Sequence, residues 1–336
     1  MEVSARQIAR LEALVASRQP GEIGLAVDWM PTDRASWRVW NRYATGPVDA
    51  TPWPDAVEVR FAVVALQKVR AATDMALFAA AACLPQGSPV YLFGQNDLGI
   101  RSFSRLGESE FETLDAAAHG RILCTIRPET VRHDTLAAFR TTRVLELPHA
   151  GVHPFASYPG CFADGRLDPG TSLLLESLPE RPAGTRVFDF ACGIGVIART
   201  VRALWPEAVV QGSDHDALAI LAARENVSGA EFLVADGPSA MGSFRPDLVL
   251  SNPPFHRGKA RLDEQWQSLI TVSRESLAAG GELRLVVQRE VMAEPALLAA
   301  FGNARRVAAA GGYVVWSARK PSNEAGRPAS KRSERA

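Results

Sequence analysis

A chain of 336 residues is long enough for two domains of ordinary size, each burying its own core. Its 37 Lys and Arg balance 37 Asp and Glu, which excludes a strongly basic coat or an acidic tail as the dominant feature; a nucleic-acid partner would have to be met by local arginine patches. The four cysteines, Cys83, Cys124, Cys161 and Cys192, lie far apart with no Cys-x-x-Cys pair and no His at ligand spacing, so a reduced cytoplasmic protein without a metal site is expected.

The chain opens on "MEVSARQIARLEALVAS", apolar at helical spacing but broken by charges, and therefore unlike the apolar core of a signal peptide. No uninterrupted apolar stretch is long enough to span a bilayer, so a soluble protein with no membrane partner is expected. Within the first half, "WPDAVEVRFAVVALQK" (53–68) carries an apolar strand, and "ALFAAAACLPQGSPVYLFGQN" (76–96) reads as helix, tight turn, strand and Gln. "AAAHGRILCTIRPE" (116–129) adds a further strand, while no glycine-rich loop follows "GEIGLAVDW". Residues 144–166, "VLELPHAGVHPFASYPGCFADGR", are rich in Pro, Gly and His and predict a linker.

Beyond the linker, strands are expected at 185–191, 208–214, 231–236, 246–252 and 281–288, with a closing pair near 304–310 and 312–318. Amphipathic helical patterns such as "VIARTVRALW", "DALAILAARENV" and "EQWQSLITVSRESLAAG" separate them. That alternation predicts an α/β fold with a doubly wound, mostly parallel sheet, whose ligands sit beyond the carboxyl ends of the strands. Three first-half segments, 53–68, 76–96 and 116–129, run parallel in order to 245–259, 271–289 and 308–321. Agreement of several segments in order predicts an ancient duplication whose first copy kept the fold and lost the chemistry. The domains are thus read as 1–143, a linker 144–166, a catalytic domain 167–320 and a polar, disordered tail 321–336.

Four strand ends carry chemistry. "VFDFACGIGV" (187–196), with Asp189, Ala191, Gly193 and Gly195, is a strand that breaks into a glycine loop and then a helix, where free N–H groups and close backbone approach suit a ligand. About one strand later, Asp214 stands where a carboxylate accepts both hydroxyls of a ribose; its structural alternative is an N-cap for the following helix. Asp236 ends the third strand, where it would accept from an adenine amino group; its structural alternative is a loop carboxylate in water. At the fourth, "SNPPFHRG" follows the apolar run "PDLVL". Proline cannot donate to a sheet ladder, so the strand must end near Asn252 in a stiff turn that holds carbonyls and an amide outward.

The set resembles a class I S-adenosylmethionine-dependent methyltransferase with a Rossmann-like sheet. Within that class, "YPGCFADGRLDPGTSLLLESL", "FDFACGIGV", "SNPPFHRG" and "LAAGGELRLVVQ" resemble the ribosomal RNA guanine-N2 methyltransferases of the RsmC and RlmG type. The likeness is good over about residues 150 to 320, and "LPQGSPVYLFGQNDLGIRS" extends it more weakly to that family's inactive amino-terminal domain. The resemblance implies S-adenosylmethionine as cofactor, ribosomal RNA or a ribosomal subunit as partner, a monomer, and no metal. Two departures stand out: "GCFADG" replaces the family's usual Gly-Val-Phe-Ser while keeping Phe162, and Ala191 replaces the first loop glycine, a change that needs negative φ to be free of strain.

Methyl transfer from a sulfonium is an in-line displacement, so the protein must chiefly align nucleophile and methyl carbon. An exocyclic amine on a nucleobase is a poor nucleophile; the Asn252 side-chain oxygen and the Pro253 carbonyl would accept its two N–H bonds and stabilise the charge growing on nitrogen. Pro253 and Pro254 make that pair rigid, Phe255 stacks on the base, and Phe162 is a further substrate-binding residue. His256 and Arg257 are expected to contact phosphate beside an extruded base, with Arg101 and Arg105 of "GIRSFSR" as further phosphate contacts. The same arrangement serves protein glutamine N5 and adenine N6, whose families more often carry Tyr where this chain has Phe255, and a non-enzymatic RNA-binding factor is the alternative of a different class.

Overall fold

The computed structural model describes residues 5–44, 49–55, 57–117, 119–131, 133–253 and 259–322, with backbone alone for 164–165 and 259–265. The first half runs α1 (Ala5–Arg18), β1 (Gly24–Val27), β2 (Trp37–Trp40), β3 (Phe61–Ala65), α2 (Arg70–Ala82), β4 (Pro89–Gln95), the two-residue strands β5 (Arg105–Leu106) and β6 (Ser109–Glu110), β7 (Glu112–Asp115) and β8 (Gly120–Ile126). Apolar residues of β1 and β3 face both ways, so both sheet faces must be covered. Leu11 and Val15 of α1 cover one face, and the alanine-rich α2 covers the other. The six-stranded sheet has the order β2-β1-β3-β4-β8-β7, parallel through β4 and antiparallel thereafter.

Next come β9 (Thr141–Leu147) and β10 (Gly151–Ser157), and then the second half. It comprises α3 (Pro169–Glu176), β11 (Arg186–Phe190), α4 (Val196–Leu204), β12 (Val209–Asp214), α5 (Ala217–Asn226), β13 (Ala230–Val234), β14 (Leu248–Ser251), α6 (Lys259–Ser276), β15 (Glu282–Gln288), α7 (Ala293–Phe301), β16 (Arg305–Ala310) and β17 (Tyr313–Arg319). Its sheet order is β13-β12-β11-β14-β15-β17-β16, parallel through β15 with an antiparallel closing pair. Leu174, Ile197, Val201 and Ile220 pack on one face, and Leu269, Leu277, Leu297 and Phe301 on the other. This is the expected Rossmann-like methyltransferase sheet.

The two sheets share one order once β13 is set aside: β2, β1, β3, β4, β8 and β7 correspond to β12, β11, β14, β15, β17 and β16. The match holds at single bonds. Asn96 N donates to His119 O as Arg289 N donates to Gly312 O, and Arg127 N donates to Ser88 O as Lys320 N donates to Gly281 O, each at 2.8 Å. Both β4 and β15 end in Gln, at Gln95 and Gln288.

The stretch 144–166, expected to be a linker, is largely regular structure. β9 and β10 form an antiparallel hairpin in register Thr141↔Ser157 to Leu147↔Gly151. His149 at φ 60° and Gly151 at φ 82° make the turn that Pro and Gly suggested as a loop. Leu145, Leu147 and Phe155 enter a core with Met75 of α2 and Leu218 and Ala222 of α5, so the hairpin packs against both halves. The expected tail lies almost wholly outside the described residues.

Candidate active site

At the carboxyl end of β11 the chain turns through Ala191, Cys192, Gly193, Ile194 and Gly195 into α4. Gly193 (φ 53°) and Gly195 (φ 86°) are left-handed, and a Cβ built on Gly193 would meet nothing within 4 Å, so the loop opens onto free space as a ligand cradle requires. Gly195 is different, since a Cβ there would come within 3.0 Å of Val227. Ala191 corrects the sequence expectation: its φ is 58°, not negative. A left-handed alanine costs about 1–2 kcal/mol, held here because Cys192 N donates to Ser213 O and Gly193 N to Asp214 Oδ2, which pins the turn from β12.

Asp214 is not a helix cap. Its Oδ1 accepts from Asp216 N at 2.9 Å and contacts His215 Nδ1 at 3.0 Å, while Asp216 caps α5 by accepting from Leu218 N. Burial pushes the Asp214 carboxyl up, but the His215 ring and the Asp216 and Gly193 N–H groups outweigh it and hold its pKa below the usual value. It therefore remains an anion at the rim of the loop. Asp189 lies beneath that loop, fully buried, with Oδ2 accepting from Ala198 N at 3.2 Å and Oδ1 without a partner. Burial, and then the Asp214 charge, raise its pKa well above the ordinary range despite the Ala198 bond. Asp236 is exposed on the bend after β13 and is not among the residues lining the cleft.

One cleft brings together the glycine loop (Ala191, Cys192, Gly193, Ile194), Phe162, Ala163, Arg166, Leu167 and Asp168 ahead of α3, Thr171 and Asn252. Asn252 follows β14, whose Ser251 hydroxyl donates to Phe190 O and so locks the strand end beside β11. The Asn252 amide nitrogen donates to Asp168 Oδ2 at 2.8 Å and to Thr171 Oγ1 at 2.9 Å, across from the first turn of α3. Pro253 is buried behind it; Pro254, Phe255, His256 and Arg257 lie outside the described residues. Phe162, 53 % exposed, stands at the cleft mouth beside Ala163 and Arg166. Arg101 and Arg105 are exposed in the first half and line no part of this cleft; Arg101 Nε reaches Asn96 Oδ1, and Arg105 donates to Glu108 O.

Four participants escaped the sequence reading. Asp168 and Thr171 sit in "LDPGTSLLLE", where Asp-Pro ahead of an apolar run was legible as a helix start but not as a partner of Asn252. Arg166 is an exposed cation at the mouth. Arg42, from the first half, makes a buried bidentate pair with Asp216 (2.7 and 2.6 Å), donates to Pro159 O, and accepts through its carbonyl from Ala217 N. Next to it, Tyr43 stacks on His215 with ring centroids 5.2 Å apart. The first half thus grips the loop that carries Asp214.

The open Gly193 cradle and the anionic Asp214 fit S-adenosylmethionine: a glycine loop for its methionine and a carboxylate for its ribose hydroxyls. Among the described residues there is no group of three or more potential metal ligands, and no helix is long and apolar enough to cross a membrane.

Comparison with known proteins agrees with this geometry. Residues 153–317 match the family model described as methyltransferase small domain. Over 302 residues the chain is 35 % identical to ribosomal RNA small subunit methyltransferase C of Ectopseudomonas mendocina, covering 87 % of this chain and 88 % of the relative. The Pseudomonas entomophila protein of that name is 36 % identical over 273 residues, 78 % of this chain and 80 % of the relative. Among solved structures, the Thermus thermophilus (T. Thermophilus) 16S rRNA N2 G1207 methyltransferase (RsmC), in complex with AdoMet and guanosine, superposes with a TM-score of 0.79 at 23 % identity, covering 94 % of this chain and 92 % of that one. That match extends the shared fold across both halves, and the sequence identity to relatives of nearly equal length places the chain in the ribosomal RNA small subunit methyltransferase C family.

Proposed function

We propose that the protein transfers a methyl group from S-adenosylmethionine to the exocyclic N2 amine of a guanine in small-subunit ribosomal RNA. The observation that carries this reading is that Asn252 and the glycine loop line one cleft, so an amine acceptor at the end of β14 and a cofactor cradle at the end of β11 address the same space. When bound, the cofactor supplies an electrophilic methyl on a sulfonium. Asp214 accepts the ribose hydroxyls, Asp236 the adenine amine, and the Gly193 backbone lies against the methionine. Asn252 Oδ1 and the Pro253 carbonyl accept the two N–H bonds of the target amine, turn its lone pair toward the methyl, and stabilise the positive charge that forms. No general base is needed before transfer, because the proton leaves the product afterwards. Phe255 and Phe162 provide stacking surfaces worth about 1–3 kcal/mol per base, which requires an unpaired or extruded nucleotide.

The first half is read as a degenerate methyltransferase-like domain that recruits RNA, with Arg101 and Arg105 on phosphates, as His256 and Arg257 are in the second half. Neutralising Arg101 and Arg105 together should lower the salt dependence of RNA binding by up to about two phosphate equivalents. The protein acts as a cytoplasmic monomer on this reading. Nucleoside mass spectrometry after incubation of ribosomal RNA or subunits with labelled cofactor tests the product. Label in N2-methylguanosine is expected; label in N6-methyladenosine, or confined to protein glutamine, overturns the guanine assignment.

A further inference from the structure

We propose that Asp168 is a positioning residue that fixes the sense of the Asn252 amide and thereby restricts the methylated atom to one that carries hydrogen. An amide can present either its oxygen or its NH2 to a ligand, and the two senses fill nearly the same volume. Here the choice is made by a carboxylate. Asp168 Oδ2 is 2.8 Å from the amide nitrogen, and an ionised carboxylate only accepts. The second amide hydrogen goes to Thr171 Oγ1 at 2.9 Å, and that hydroxyl turns its own hydrogen toward Asp168 Oδ2 at 3.4 Å. Both hydrogens are thus committed, while Oδ1 makes no hydrogen bond to a described residue and belongs to a side chain lining the cleft. Flipping the amide would set its oxygen against the Asp168 carboxylate and forfeit both bonds from the amide nitrogen to α3.

The anchor is itself rigid. Asp168 caps α3 by accepting from Thr171 N at 2.9 Å through the same Oδ2, and Pro169 at the first helical position fixes the backbone behind it. The helix cap, the amide sense and the acceptor chemistry form one chain of contacts. An oxygen held outward attracts an amino group and repels a bare ring nitrogen or a carbonyl, which would bring lone pair against lone pair. Guanine N7 and the unprotonated ring nitrogens of adenine are therefore disfavoured, independent of base stacking.

This inference rests on the reading of Asn252 as the amine acceptor, and the experiment separates the two. In the full-length protein, Asp168→Ser keeps a capping hydroxyl for α3 but is too short to hold Asn252. Turnover should fall about tenfold or more with RNA KM little changed, while cofactor affinity by calorimetry stays within about threefold and the melting temperature moves by only a few degrees. Added to Asn252→Ala, the same change should cost no more than about threefold, since it acts through the missing amide. The exchange of Asp168→Asn with Asn252→Asp puts the hydrogens on α3 and an oxygen back at the strand end, and should recover at least about fivefold over Asn252→Asp alone. Additive losses, no recovery in the exchange, or cofactor affinity falling in step with turnover overturn the positioning role. Near-normal turnover in Asn252→Ala overturns the underlying reading as well.

Discussion

The two sheets take the same path to their strand ends and part there. After β1 the chain enters the left-handed region at Asp28 (φ 58°), as it does at Ala191 after β11. The next residues differ: Trp29 in the first half, its indole donating to Val63 O and packed on Trp37 and Phe93, against an open glycine loop and a helix in the second. In the first half the polar groups at the strand ends satisfy one another. Asp28 Oδ1 accepts from Arg42 N, its Oδ2 accepts from Gln67 Nε2, and Gln67 N donates to Thr73 Oγ1. In the second, Asp189 Oδ1 and Ser213 Oγ are buried without a partner among the described residues, and Asn252 Oδ1 makes no hydrogen bond to a described residue. The first half's strand-end polar groups are thus tied to one another, and the second half's Asn252 faces a cleft.

The largest test addresses the joint between them. Arg42→Ala strips Asp216 of its buried partner and should cost about 3–5 kcal/mol by denaturant unfolding, with cofactor affinity falling too because Asp216 N holds Asp214. A loss confined to the first half would show that the two sheets are energetically separate. Asp214→Ala should weaken cofactor binding by about 1.5–3 kcal/mol in calorimetry, the value of bonds to a charged group, and leave the first half's stability unchanged. Affinity equal to that of the unaltered protein would remove Asp214 from the cofactor site.

A pH test separates a satisfied cleft from a working one. Burial, against the Arg42 bond, raises the Asp28 carboxyl to about 6, so the folded state holds its proton where the unfolded chain has lost it. The Asp28 contribution to stability is full below about pH 4 and is lost as pH rises through about 6. Asp28→Asn should therefore stabilise the protein by up to about 2 kcal/mol at pH 8, with the gain vanishing near pH 4, read by unfolding at each pH. A gain that is flat with pH would mean that the carboxyl titrates normally. The smallest effect is expected at the shared left-handed position: Ala191→Gly should add up to about 1 kcal/mol without changing turnover. A fall in turnover would show that the alanine methyl is used in the cleft.

Local signals account for the elements that were legible. The expected strand 246–252 is β14 at Leu248–Ser251, 281–288 is β15 at Glu282–Gln288, and the closing pair is β16 and β17, because apolar runs between turn residues are marked within a few residues of chain. Proline and glycine marked the turn at Asn252 and the glycine loop after β11 for the same reason. Three segments suggested a duplication, and the two sheets share one strand order once β13 is set aside.

The features that tertiary structure alone decided involve partners distant in the chain. Asn252 meets Asp168 across 84 residues, and Arg42 meets Asp216 across 174, so no spacing rule joins them. The hairpin of β9 and β10 looked like a linker because its Pro, Gly and His residues favour turns, yet Leu145, Leu147 and Phe155 find a core only when α2 and α5 are brought to either side. Likewise the φ of Ala191 is imposed by Ser213 and Asp214 on the neighbouring strand and not by alanine's own preference. The sequence by itself determined where the strands end and which residues stand at those ends, since backbone sterics and hydrophobic period act locally. The sense of an amide, the strain in a turn and the grip of one half on the other depend on which groups packing brings within about 3 Å, the reach of a hydrogen bond, and only the folded chain decides that.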